Sequence, residues 1–424
     1  MSRPAVPRSA STEQPRVVIV GAGFGGIACG KALGGTSVRV TVIDRRNYHL
    51  FVPLLYQVAT AALSPADIAR PIRRILGKYR NVDVMLGDVV GIDARSHAVR
   101  IGDGSTVAYD RLVIATGSEY SYFAHPEWAR FAPGPRTLED ARAIRARVLT
   151  AFERAEISRD SAEQDALMTI VIVGGGPTGV EMAGSVAELA RHALARDFRR
   201  IDPRRARIIL VEAGPRILSA FPPSLSDYAH AAITRLGVTV ITDQPVDSVD
   251  ESGVSVGERR IAAGTVIWGA GIKAAPAGQW LGIELDRAGR IPVGPDLSVR
   301  GVADVYALGD SALTHGKDGA PLPALAQVAK QQGQHLGRAL VSHLENGRAV
   351  PPFRFRDRGN TAIIGRHAAV FDFGWLQLKG RVAWILWAIV HVYLLVGFDN
   401  RLRVTVQWVW RYITYERGAR LILS

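Results

Sequence analysis

The sequence predicts an α/β protein with two Rossmann-like dinucleotide-binding domains and a C-terminal set of membrane-binding helices. Three observations carry this: a glycine-rich strand–turn–helix unit near residue 20, a second copy near residue 174, and a change of character after Pro351.

In the first unit, Val17-Val18-Ile19-Val20 is a short apolar run, as expected for a strand buried on both faces. Gly21-Ala22-Gly23-Phe24-Gly25-Gly26 follows directly and leads into a helical stretch from Ile27 to Leu33. A second strand, Val38 to Ile43, ends at Asp44. In such a turn Gly21 makes the bend, Gly23 admits a pyrophosphate to the backbone, and Gly26 lets helix and strand pack closely. The helix N-terminus then faces the phosphates, and Asp44 can bind ribose hydroxyls. A GxGxxG motif alone is weak; strand, helix and acid in register make it specific.

The pattern recurs. A strand from Met168 to Val173 runs into Gly174-Gly175-Gly176-Pro177-Thr178-Gly179, a helix from Val180 to Arg191, and a strand from Arg207 to Val211 ending at Glu212. A carboxylate at Glu212 favours NADH, since it repels the 2′-phosphate of NADPH, although Arg216 four residues on softens that rule. Glu181 falls on the first turn of the helix. It is either a carboxylate favoured by the helix N-terminus or a polar group aimed at the nicotinamide or the second substrate.

Between and beyond these units, Tyr109 to Ser118 reads as a strand ending in a Thr116-Gly117 turn. Thr137 to Glu156 reads as a helix, with Thr137 and Asp140 placed for a capping box. Val302 to Asp310 reads as a strand ending in an acid, where Gly309-Asp310 suits the ribityl or pyrophosphate of FAD. A helix from Ala324 to His343 follows Pro321-Leu322-Pro323 and points its positive end at the flavin.

Composition narrows the chemistry. With 424 residues and 48% hydrophobic content the chain has room for two or three domains with sizeable cores. Its single cysteine, Cys29, cannot form an internal disulfide, a CxxC pair or a cysteine-based zinc site. Redox chemistry must therefore come from a bound cofactor, and two dinucleotide units suggest FAD taking hydride from a nicotinamide. No metal site is expected. The net charge of +13 suits either nucleic acid or an anionic membrane surface. No nucleic-acid motif accompanies it, so nucleic acid is set aside.

The residues also carry a resemblance. GAGFGG (21–26), HLFVPLLYQVAT (49–60), IATGS (114–118), IVGGGPTGVEMAG (172–184), VIWGAGIKAAP (266–276), ALGDSA (307–312), AQVAKQ (326–331), IIGRHAAV (363–370) and YERGARLI (415–422) occur in order. Together they resemble the type II NADH dehydrogenases, non-proton-pumping NADH:quinone oxidoreductases with a glutathione-reductase-like two-dinucleotide fold. AQVAKQ is the specific segment, since the others are shared with many flavoproteins. The resemblance implies a quinone site at Gln327 and Gln331, whose i, i+4 spacing puts both amides on one helix face. It also implies a role for Glu181 near nicotinamide and quinone. FAD contacts are implied at Phe24, Gly25, Val89, Thr116, Gly117, Gly309, Asp310 and Ala326. NADH contacts are implied at Gly174, Gly176, Thr178, Gly179, Glu212 and Gly271. Tyr56 and Gln57 lie in a segment the family uses near the flavin, with no individual role implied. A homodimer is a common state of the family.

The tryptophan-rich end completes the reading. Val382 to Phe398 is nearly all apolar but only 17 residues long, short of the about 20 a spanning helix wants. From Lys379 to Ser424 there are seven Lys and Arg against two acids, interleaved with Trp and aliphatic residues. That pattern suits a helix in the headgroup layer of an anionic membrane, mainly over residues 400–424, with a buried helix packed on the flavin domain as the rival for part of Val382–Phe398. The first 15 residues have no apolar core for a signal peptide and read as a disordered tail. The protein is therefore expected on the cytoplasmic side of the inner (plasma) membrane. The domain reading is an FAD domain at 16–165 and 291–350, an NADH domain at 166–290 and a membrane segment at 351–424. The rival functions are a soluble NADH-dependent reductase with ferredoxin or oxygen as acceptor, and a membrane-bound redox sensor.

Overall fold

A computed structural model describes residues 14–395, 398–414 and 420–422. Most of the expected N-terminal tail, and most of YERGARLI, lie outside the described residues. Seven helices matter below: α1 (Phe24–Leu33), α2 (Leu55–Ala59), α3 (Leu138–Ile157), α4 (Pro177–Glu188), α5 (Ala326–Asn346), α6 (Arg381–Leu394) and α7 (Phe398–Thr414). The chain forms two compact units whose segments alternate in sequence.

The first unit comprises residues 1–49, 71–118 and 274–355. Its five-stranded parallel sheet runs Val305–Ala307, Arg111–Ile114, Arg16–Val20, Arg39–Asp44, Val82–Leu86. The central strand is buried from Val17 to Val20, which explains why it is written in β-branched apolar residues. Two expected strands are shorter than the sequence suggested, for backbone reasons. Asp304 sits at φ 62° after Gly301 at φ 78°, so the strand begins only at Val305. Gly117, at φ 73°, lies between the strand that ends at Ile114 and the next at Ser118. α1 starts at Phe24 rather than Ile27, because Gly25 and Gly26 are helical residues used for contact. A Cβ on Gly25 would lie 2.2 Å from Leu308 Cδ1, and one on Gly333 would lie 2.1 Å from the Gly25 carbonyl. α1 and α5 thus pack backbone to backbone through glycines, with Cys29 sealed between them.

The second unit comprises residues 50–70, 119–273 and 356–424. Its parallel sheet runs Val238–Ile241, Arg207–Val211, Thr169–Val173, Thr265–Trp268. α3 is capped as its sequence predicts, with Thr137 accepting from the Asp140 amide (3.0 Å) and Asp140 accepting from the Thr137 amide (2.8 Å). α4 begins at Pro177, three residues before the expected start, and passes into a π-helical turn at Leu189–Ala193. Proline is at home there because the first helical amide has no partner to lose. A three-stranded antiparallel meander, Asn360–Gly365, Ala368–Asp372 and Gln377–Gly380, lies against α4. The approach is tight: a Cβ on Gly184 would sit 1.7 Å from the Ile364 carbonyl. α6 and α7 complete the unit. Among the described residues no helix is long and apolar enough to cross a membrane. The 14 residues of α6 rise roughly 21 Å, against a hydrocarbon core of about 30 Å.

Gly333→Ala forces its new methyl into the Gly25 carbonyl, which belongs to a helix that cannot step aside. A loss of about 2 kcal/mol is expected, read as a lowered thermal midpoint.

Candidate active site

The first glycine turn is held from three sides within its unit. Gly21 stands at φ 101°, and a Cβ there would meet the Ala115 carbonyl at 2.4 Å. Gly26 meets the Gly21 carbonyl at 1.8 Å by the same measure, so all side chains are excluded at both positions. At Gly23, by contrast, a Cβ would meet nothing within 4 Å, which is the open space a pyrophosphate needs beside the backbone. Asp44 reaches back from the end of its strand, and one carboxylate oxygen accepts the Ala22 amide at 2.7 Å. The other accepts the Arg46 amide at 2.8 Å. His49 closes the turn from a further direction, its Nδ1 lying 2.9 Å from the Ala22 carbonyl and its ring edge-on to Phe24. Burial pushes the His49 imidazole down to about 4, so it is neutral and donates through Nδ1.

The rest of the expected FAD set gathers in this unit. Thr116 follows the Ala115 carbonyl that packs against Gly21, and its buried hydroxyl has no partner among the described residues. Ser118 donates to Asp310 at 2.5 Å, tying the Thr-Gly turn to the acid of the ALGDSA segment. The Gly309 amide donates to Gln332 at 2.7 Å, and Gln332 donates to Thr314 at 2.9 Å. Val89 begins a strand two residues after Gly87, whose amide donates to the Asp44 carbonyl at 3.0 Å. Ala326 is the first residue of α5, whose N-terminal cap, Leu325, offers no side-chain oxygen; its first amides have no partner within the helix. Gln327 and Gln331 lie one turn apart on α5, both half-buried, whereas Gln332 is fully enclosed.

The second unit repeats the turn closely. Gly174 stands at φ 103°, Gly179 approaches the Gly174 carbonyl, and a Cβ at Gly176 would meet nothing within 4 Å. Glu212 accepts the Gly175 amide through one oxygen and the Gly214 amide, at 2.7 Å, through the other. Thr178 lies on the first turn of α4. Gly271 stands at φ 70°, where a Cβ would meet the Phe123 ring at 2.9 Å.

Glu181 needs a correction. With α4 starting at Pro177 it falls in the second turn rather than the first, beyond the free amides that would favour a carboxylate at the helix N-terminus. Its contact is a long one, to the Ile363 amide at 3.5 Å. Part of its surface remains accessible, yet burial of the carboxyl pushes it up to about 8, against the opposing pull of that amide. One turn on, Ser185 lies 2.6 Å from Thr60, which donates to the Tyr56 carbonyl at 2.9 Å. Glu181 belongs to one unit, Gln327 and Gln331 to the other.

Sequence reasoning missed His49, Ser118, Gln332 and the carboxylate bonds to Ala22 and Gly175. Gln332 carried a signal: it shares a helix face with Val328, Ala329 and Leu336, where a polar residue must find a partner. Cys29 is fully buried and burial pushes its thiol up to about 12, which removes it from redox chemistry.

Comparison with known proteins accords with this arrangement. Residues 15–333 match the family model described as pyridine nucleotide-disulphide oxidoreductase, and residues 358–415 match the NDH2 C-terminal domain. The chain is 41% identical to the type II NADH:quinone oxidoreductase NdhA of Mycobacterium tuberculosis, covering 96% of this chain and 89% of that protein. It is 39% identical to the type II NADH:quinone oxidoreductase Ndh of the same organism, covering 97% and 92%. In fold it is similar to NDH2 from Plasmodium falciparum in complex with NADH, with a TM-score of 0.87 at 21% identity over 97% of this chain and all of that one. The chain belongs to the pyridine nucleotide-disulphide oxidoreductase family and, within it, to the type II NADH:quinone oxidoreductases.

Proposed function

We propose that the chain oxidises NADH and reduces a membrane quinone without pumping protons, with FAD as its resident cofactor. The observation that carries this is the pair of latched glycine turns, each open at its second glycine, in a chain whose one described thiol is sealed. FAD, when bound, supplies the group that accepts hydride from NADH and returns two electrons to the quinone.

The residues then divide the work. Gly21, Gly23, Phe24, Gly25 and Gly26 offer the FAD pyrophosphate a helix N-terminus free of side chains, with Asp44 at the ribose. Val89, Thr116, Gly117, Gly309 and Asp310 border the same cofactor, and Ala326 offers it the amide that opens α5. Gly174, Gly176, Thr178 and Gly179 take the NADH pyrophosphate, Glu212 its ribose, and Gly271 lies beside the nicotinamide half. Gln327 and Gln331 donate to quinone carbonyls without placing a charge in an apolar passage. Glu181 keeps its proton near neutrality and holds it close to the reacting end. Residues 16–165 and 291–350 serve FAD in this reading, and residues 166–290 serve NADH.

The segment 351–424 provides the membrane contact. α6 exposes Val382, Ile385, Ile389 and Tyr393, and α7 exposes Leu402, Val406, Val409 and Trp410. These apolar stripes with neighbouring arginines suit a helix pair lying on anionic lipid at the cytoplasmic face. Among the described residues, α6 thus carries outward apolar side chains as well as α7. A second copy of the chain is the remaining partner in this reading.

Anaerobic addition of NADH is expected to bleach the flavin absorbance, and a short-chain quinone to restore it rapidly; no recovery would move the acceptor elsewhere. Gln327→Ala is expected to raise the quinone KM about three- to tenfold, the worth of one hydrogen bond, with bleaching by NADH unaltered. Val406→Asp with Val409→Asp is expected to weaken flotation with anionic vesicles by at least about tenfold, from lost apolar burial. Between its ordinary 4.5 and about 8, folded Glu181 holds a proton that the unfolded chain releases, so stability falls as pH rises through that window. Glu181→Gln is expected to flatten this decline in denaturation midpoints measured from pH 5 to 9.

A further inference from the structure

A loop of the second unit carries a residue whose position packing alone does not explain. Phe123 stands at φ 53°, a left-handed backbone that a bulky side chain adopts only at a cost. The residue is nonetheless 70% exposed, so little apolar burial offsets that cost. Hydrogen bonds hold the loop in place. The Phe123 amide donates to the Ser121 hydroxyl at 3.2 Å, and the Ser121 amide donates to the Gly271 carbonyl at 3.2 Å. The buried Trp268 indole donates to the Ser121 carbonyl at 2.9 Å. The Phe123 ring lies against the Gly271 backbone and meets Trp268 edge-on at 6.3 Å.

The strand ends of this unit show what the ring faces. Glu212 follows the strand on one side of the central strand Thr169–Val173, and Gly269 follows the strand on the other. The loop from Gly269 to Gly271 backs the glycine turn, since a Cβ on Gly174 would meet the Gly269 carbonyl carbon and the Ala270 amide, both at 2.7 Å. A dinucleotide laid across the strand ends, with its pyrophosphate at Gly176 and its adenosine ribose at Glu212, carries its other half toward Gly271. That half ends in nicotinamide, a flat ring with apolar faces. Gly271 and Ile272 are exposed beside Phe123, so the space there is open.

We infer that Phe123 is a binding residue for the nicotinamide half of NADH, its ring forming an apolar wall against which the nicotinamide packs. This rests on the NADH reading above. Ser121, bonded to Gly271 and Trp268, keeps the strained loop in the conformation that presents the ring. When the nicotinamide arrives, exposed aromatic surface is buried on both partners, and contact between the two rings adds to that gain. The adenosine half, on the far side of the glycine turn, gains nothing from Phe123.

The test is Phe123→Ala, which removes the ring and leaves the Ser121 bonds, with Phe123→Tyr and Phe123→Leu alongside. Anaerobic bleaching of the flavin is followed against NADH concentration, together with its inhibition by ADP-ribose, which has every part of NADH except the nicotinamide. For Phe123→Ala the half-saturating NADH concentration is expected to rise about three- to tenfold, with ADP-ribose inhibition changed less than about twofold. Phe123→Tyr keeps the ring face and should saturate within about twofold of the wild type. Equal weakening of NADH and ADP-ribose would reduce Phe123 to loop packing and overturn the inference. Unchanged NADH saturation in Phe123→Ala, or a Phe123→Tyr variant as weak as Phe123→Ala, would overturn it as well. If Phe123→Ala does not fold, the same asymmetry must appear in Phe123→Leu. Wild-type flavin that NADH does not bleach would overturn the NADH reading itself, and this inference with it.

Discussion

Both nucleotide turns depend on one kind of bond, a strand-end carboxylate accepting the amide of the second turn residue. Asp44 does this for Ala22, and Glu212 for Gly175. The amide in such a tight bend has no helical or sheet partner, and an ionised acceptor satisfies it more strongly than a neutral one would. The bond fixes the distance between the end of the second strand and the bend in the first connection. A carboxylate has about four lone-pair sites, so holding two amides still leaves it able to meet ribose hydroxyls. In the function proposed above, structure and recognition use the same two oxygens.

Around these turns, close approach is arranged by leaving atoms out. Gly25, Gly333 and Gly337 let α1 and α5 touch through backbone, and Gly184 does the same for α4 and the C-terminal meander. The meander is then fastened by polar contacts, the Ile363 amide to Glu181 and the Arg366 amide to Glu188 at 2.6 Å. The segment carrying the outward apolar stripes is therefore bonded to the same helix that begins at the second glycine turn. Burial there comes with proton retention on Glu181, because little in its surroundings stabilises the ionised form.

What could be read in the sequence was local. The two turns, their flanking strands and the Thr137–Asp140 capping box each occupy a few consecutive residues with one physical explanation. Strand and helix ends were less legible at Asp304, Gly117 and Phe24, where left-handed backbone or glycines used for contact override hydrophobic pattern. The placement of Glu181 in the first turn failed because proline, a poor residue inside a helix, is a good one at its start. Bonds between distant residues left little trace: the Trp408 indole N–H donates to the Gln57 amide oxygen 351 positions away. The amide bonds of Asp44 and Glu212 were hidden for a different reason, since the ribose role expected of them already accounted for two acids at those positions.

The contact between α1 and α5 leaves one consequence for experiment. Cys29 is sealed in it, fully inaccessible and held in its thiol form far above neutral pH. An alkylating reagent therefore reaches this sulfur only when the two glycine-packed helices part. The protein carries a built-in clock for that opening, placed where the first glycine turn meets the AQVAKQ helix. Its labelling rate reports how often the cofactor cradle breathes, without any change to the sequence.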